Sequence, residues 1–181
     1  MKNNTDINFF CDLNEKVKKL ISFLISFEGR LSAISFVMLL LFIKSFIQPL
    51  DYLTNSMFLS YIANLCSLYF MLALIQKRCR DFGSSGTYWI LAFSIAFIGD
   101  MAFSFCNVQE AEDLLRHIYF VMVCIQLIVF ICLLLIPSKA NVDERIRSPL
   151  LKHPLIYTLI CIILAIGATI GVNYYNGVNI L

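Results

Sequence analysis

Five apolar runs, at roughly 31–50, 56–75, 88–106, 118–137 and 155–173, follow one another with little polar sequence between them. About 20 apolar residues, each rising 1.5 Å in a helix, cross the hydrocarbon of a bilayer. A buried soluble core does not need five such runs in succession. Only 14% of the residues are charged and 60% are hydrophobic, where a soluble domain carries about 25% charged residues. Most of the surface must therefore face something other than water. The expected fold is an all-α, polytopic membrane helix bundle of about five transmembrane helices. Lys44 interrupts the first run and Asp100 the third. Ile47-Gln48-Pro49 is expected to close the first run and Pro137 the fourth.

Ahead of the runs, residues 1–11 are polar and expected to be mobile. A helix is predicted from Asp12, which can cap the first turn while Glu15 reaches back in a capping box. Leu13, Val17, Leu20, Ile21 and Leu24 then share one face, with Lys16, Lys18, Lys19, Ser22 and Ser26 elsewhere. That pattern fits a helix lying in the membrane interface with lysines toward anionic lipid. A cytosolic extension of the next helix is the alternative. The chain thus divides into an N-terminal cytoplasmic segment (1–30), a four-span domain (31–137), a basic cytoplasmic loop (138–154), and a fifth span with a short tail (155–181). The apolar stretch Leu20–Phe27 ends at Glu28-Gly29-Arg30 rather than at small residues, so no cleavable signal is expected.

Lys and Arg placement predicts the threading. Of 14 basic residues, 12 lie in the N-terminal segment and the 76–87 and 138–154 loops, which alternate along the chain. The other connections hold Arg116 alone, beside Glu110, Glu112 and Asp113, and Lys44 sits within a span. The N-terminus is expected in the cytoplasm and the C-terminus outside. A net charge of +2 gives no reason to expect nucleic acid. The seven cysteines include no CxxC pair, and five lie inside apolar runs. They read as small packing residues rather than metal ligands or a disulfide framework.

The densest cluster of charge and glycine is KRCRDFGSSGTYW, Lys77 to Trp89, between the second and third runs. Gly83 and Gly86 permit tight turns. Tyr88 and Trp89 stand where the third span would enter the bilayer. Lys77, Arg78 and Arg80 are expected at headgroup level near Arg30, with Asp81 paired to one of the arginines. Two readings are open. The cations hold the loop inside and the aromatics anchor the helix, or Arg30, Lys77, Arg78 and Arg80 bind the phosphate of an anionic lipid or ligand.

Phe27, Gly29, Arg30, Leu31 and Ser32 before the first span, with Phe36 beyond, and Lys77, Arg78, Arg80, Asp81, Gly83, Ser85, Gly86, Tyr88 and Trp89 between the second and third, form paired motifs. Over about residues 27–149 the chain resembles the bacterial inner-membrane family of domain of unknown function 805. The resemblance implies a four-span core in the inner membrane and implies no mechanism. Arg80 stands where many members have His, the proline of the third span is replaced by Ile95-Ala96-Phe97-Ile98-Gly99, and the fifth span is an addition.

With this threading, Lys44, Asn64, Asp100 and Gln126 fall in one slab about 9–12 Å below the outer surface. A charge in hydrocarbon costs from about 3 kcal/mol upward and seeks a partner. A structural clasp centred on Lys44 and Asp100, separate solvation of each group, and a proton or ion path are the three readings. Gly167 and Gly171 form a GxxxG pattern, expected to pack against the protein's own bundle, with a homo-oligomer seam as the alternative.

No nucleophile, phosphate-loop or dinucleotide motif occurs, and His117 and His153 are expected on opposite sides, so neither a metal nor a cofactor is expected. The expected function is non-enzymatic: a structural or interaction protein whose cytoplasmic basic face engages anionic lipid or a protein partner. A small transporter or channel using Lys44 and Asp100 is the alternative.

Overall fold

The computed structural model describes residues 3–53, 57–104, 113–141 and 148–175. Six α-helices occupy them: α1 Asn3–Ile25, α2 Ala33–Leu53, α3 Met57–Asp81, α4 Thr87–Ser104, α5 Asp113–Leu135 and α6 Pro154–Tyr175, with a short 3-10 turn Pro149–Leu151 before α6. Each apolar run is a helix. In hydrocarbon no water meets an unpaired backbone group, and a helix satisfies its own. Phe58–Asp81, Leu114–Leu135 and Pro154–Tyr174 are long and apolar enough to cross a bilayer, whereas Ala33–Ser45 and Thr87–Phe103 are shorter apolar helices.

The bundle is built around α3, which touches all five other helices. From Met71 to Phe82 no residue is more than 7% exposed. A helix enclosed on every side should be apolar all round. Leu72, Ala73, Leu74 and Ile75 meet that demand, but Gln76, Lys77, Arg78, Arg80 and Asp81 follow directly and are equally buried. Their partners define the site described below.

α4 lies between α5 and α6. A Cβ on Gly99 would come within 2.8 Å of Met122 Cγ, so the missing side chain is what lets α4 and α5 approach this closely. The outer faces stay oily. Phe120, Leu127 and Leu134 on α5, and Ile156, Ile163 and Ile170 on α6, recur every seven residues and are exposed. Stripes of this size on a protein surface mark contact with a membrane or a partner.

Two helix boundaries correct the sequence reading. α1 begins at Asn3, so Asp12 lies inside the helix, where no terminal N–H awaits a cap. Glu15 instead pairs with Lys19 at 3.8 Å. α2 runs through Pro49 to Leu53. Proline removes one backbone donor, which a membrane helix tolerates when its neighbours remain helical. Pro137 does end its helix, the last turn of α5 closing at Leu135. Glu110, Glu112, Arg145 and Arg147 lie outside the described residues.

Candidate functional site

α3 ends in a left-handed turn. The Gly83 amide donates to Arg80 O at 3.1 Å and the Ser84 amide to Cys79 O at 2.9 Å, a Schellman closure with Gly83 at φ 83°. Gly86, at φ 76°, brings the backbone back against the same helix. A Cβ there would lie 3.1 Å from both Cβ and Sγ of Cys79. The two glycines fold the loop onto α3, and α4 starts at Thr87.

Arg78 faces the end of α5. Its Nε donates to Leu133 O at 2.8 Å, and one Nη donates to Ile136 O. The other Nη donates to Asp81 Oδ2 and, at 3.2 Å, to Ser138 Oγ. The Ser138 hydroxyl in turn donates to Asp81 Oδ2. Arg30, in the segment before α2, approaches from the other side. Its Nη2 lies 3.6 Å from Asp81 Oδ1, donates to Asp81 O at 3.2 Å, and also donates to Lys139 O. The Lys139 amide donates to Asp81 O at 2.9 Å. Asp81 therefore ties together the segment before α2, the end of α3 and the segment after α5.

Lys77 closes a third helix end. Its ammonium donates to Phe23 O in the last turn of α1 and sits 3.8 Å from the centroid of the Phe23 ring. Tyr69, two turns earlier on α3, donates to Ile25 O at 3.0 Å and meets the Phe27 ring edge-on at 5.1 Å. Gly29 (φ 90°) turns the chain between Phe27 and Arg30.

A second chain of hydrogen bonds holds the loop after α5. The Ser148 amide donates to Gln76 Oε1 at 3.1 Å. The Ser148 hydroxyl lies 3.2 Å from Thr87 Oγ1, which lies 3.1 Å from Ser85 Oγ. Gln76, Ser138 and Ser148 were not singled out by sequence reading. The two serines adjoin Pro137 and Pro149, and Gln76 is a polar residue at the end of an apolar run, which is the signal that could have found them.

One electrostatic cause unites these contacts. The C-termini of α1, α3 and α5 converge, each carrying about half a negative charge on unpaired carbonyls. Lys77 and Arg78 place positive charge against carbonyls of α1 and α5, and Arg30 against that of Asp81 at the end of α3. Lys77, Arg78 and Arg80, expected at headgroup level near Arg30, are buried inside the bundle rather than open to lipid headgroups. Every nitrogen of the Arg78 guanidinium is engaged by the chain itself. Trp89 packs against the core, while Tyr88 is 87% exposed.

The polar slab is only partly assembled. Gln126 and Lys44 both act on the Asp100 carboxylate, although Gln126 Nε2 is buried without a well-formed hydrogen bond. Lys44 is exposed at the bundle's edge. Asn64 stays apart, donating to Ser60 O in its own helix at 2.9 Å. Own-bundle packing of Gly167 and Gly171 is also corrected: a Cβ at either would meet nothing within 4 Å.

Apolar helices around a core post of neutralised charge, with bare hydrocarbon side chains outside, define a membrane protein with transmembrane helices. The chain belongs to the family described as a protein of unknown function, DUF805, whose family model matches residues 20–144, from within α1 through α5 and into the following loop. No curated protein and no solved structure matches it.

Proposed function

We propose that this is a non-enzymatic structural or interaction protein of the bacterial inner membrane. In this reading five helices cross the bilayer, the N-terminus is cytoplasmic and the C-terminus is outside. Its cytoplasmic face engages anionic lipid, or a partner, through α1. The observation that carries this is the state of α1. Lys77 and Tyr69 fasten its last turn to α3, and Phe23 and Leu24 pack on the core. Val17, Leu20 and Ile21 remain exposed, with Lys16, Lys18 and Lys19 exposed alongside. A helix held in place with an uncovered apolar stripe and flanking lysines suits the surface of an anionic leaflet. The cations Arg30, Lys77 and Arg78 act in this reading as the scaffold that positions α1.

Hydrogen exchange in nanodiscs tests it. Amides of residues 16–25 should exchange more slowly in phosphatidylglycerol than in phosphatidylcholine, and a Lys16→Gln, Lys18→Gln, Lys19→Gln variant should lose the difference. Equal exchange in the two lipids overturns the reading. The transporter alternative has support only from the meeting of Asp100, Gln126 and Lys44. With the N-terminus taken as cytoplasmic, the buried stretch Met71–Phe82 of α3 fills the inward half of the bundle and argues against a continuous path. Flux into proteoliposomes abolished by Asp100→Asn would favour it.

A further inference from the structure

A cavity of about 310 Å³ opens between α3 and α6, walled by Leu65, Cys66 and Phe70 on one side and Leu155 and Leu159 on the other, with Ile25 at its rim. α6 packs more extensively on α4 than on α3. Two hydroxyls reach its wall and both are turned away. Tyr69 donates to Ile25 O at 3.0 Å and Thr158 to Pro154 O at 2.7 Å. The lining thus offers hydrocarbon and nothing for a polar ligand to bond. α6 lies beyond the residues that the family model matches, whereas the α3 wall lies within them.

Charged sequence stands close to one lining residue. Leu155 belongs to the first turn of α6, and Lys152 and His153, both exposed, immediately precede that helix. Pro154 at the start of α6 has no N–H and the Tyr157 amide donates to His153 O at 3.0 Å, which leaves the Leu155 and Ile156 amides at the positive end of the helix dipole. An oily slot with an exposed lysine three residues before its Leu155 wall matches a single amphiphile with an acyl tail and an anionic head. Lys77 and Arg78, buried and bonded, are not part of it.

We propose that the α3–α6 cavity holds one acyl chain of an anionic phospholipid, with its phosphate at Lys152 and the N-terminus of α6. The lipid fills a gap in the bundle and is distinct from the lipid around the outer faces. This deepens the anionic-lipid reading above and rests on it for the side of the membrane on which α6 begins.

The test is photocrosslinking in phosphatidylcholine nanodiscs doped with phosphatidylglycerol that carries a diazirine midway along one acyl chain. Adducts should concentrate at Leu65, Cys66, Leu155 and Leu159 over the outward-facing Ile163 and Phe120. Unlabelled phosphatidylglycerol should displace them and phosphatidylcholine should not. Lys152→Gln should lower the preference for phosphatidylglycerol about fivefold, the weight of one lysine near an anionic surface. Cys66→Trp, which fills the slot, should abolish the adducts. Wild-type adducts spread evenly over cavity and outer face overturn the proposal, as do cavity adducts that both lipids displace equally. The Lys16, Lys18 and Lys19 glutamine variant should keep the cavity adducts. Its hydrogen-exchange result bears on α1 alone, so the two readings fail separately.

Discussion

Arg78 and Asp81 form an ion pair one helical turn apart, and between them they reach two other stretches of chain. Arg78 takes the carbonyls of Leu133 and Ile136, and Asp81 takes Arg30 and Ser138. Removing one member of a buried, hydrogen-bonded charge network leaves the rest unpaired in low dielectric. Arg78→Met is therefore expected to cost about 3–5 kcal/mol. Arg78→Lys should rescue little, because one ammonium does not span the carbonyls and the carboxylate that the planar fork serves together. Thermal denaturation in mild detergent checks both. A lysine variant as stable as wild type would show that the fork geometry is irrelevant.

Gly83 and Gly86 share a left-handed conformation but differ in surroundings. Gly83→Ala is expected to cost about 1–2 kcal/mol, from backbone strain. Gly86→Ala should cost more, because its Cβ also meets Cys79. Cys79→Ala should recover only part of the loss, since the Cys79 Cβ is as close as its sulfur. Equal losses at the two glycines, read by the same denaturation, would remove the steric argument.

Asp100 is expected to couple to Gln126 more strongly than to Lys44. Gln126 is partly enclosed between α4 and α5, whereas Lys44 is exposed and can reach its head toward the interface. A double-mutant cycle of Asp100→Leu with Gln126→Leu should give an interaction energy of about 0.5–3 kcal/mol, and the cycle with Lys44→Met should give less. The reverse order would restore Lys44 and Asp100 as the central pair.

Gly167→Ala and Gly171→Ala should leave stability unchanged or slightly higher, because the added methyls meet open space and alanine favours a helix by about 1 kcal/mol over glycine. Loss of stability together with loss of a cross-linked dimer would reveal a second copy against this face.

The helices were legible because hydrocarbon length leaves few alternatives: each apolar run is a helix, and Pro137 ends one. The turn at Gly83 and Gly86 was legible for the same reason that glycine occurs there. The burial of Lys77 and Arg78 was not. Their partners are backbone carbonyls of Phe23, Leu133 and Ile136, which every residue possesses and no residue type signals. Depth counting brought Asp100 and Gln126 together but did not foresee that Asn64 bonds within its own helix, where the carbonyl one turn back competes for the amide. It also had no means of telling which way the α6 glycines point.

The Lys139 amide, bonded to Asp81 O, belongs to a residue synthesised 58 positions after its acceptor. When α3 leaves the ribosome, Asp81 is present to pair with Arg78, but the carbonyls and hydroxyl that complete its hydrogen bonds do not yet exist. Its guanidinium must wait in water or among headgroups until α5 is threaded, and only then can the nascent bundle draw it inward. A chain halted before Asp113, where α5 begins, consequently leaves Arg78 without the Leu133 and Ile136 carbonyls that it bonds in the finished bundle.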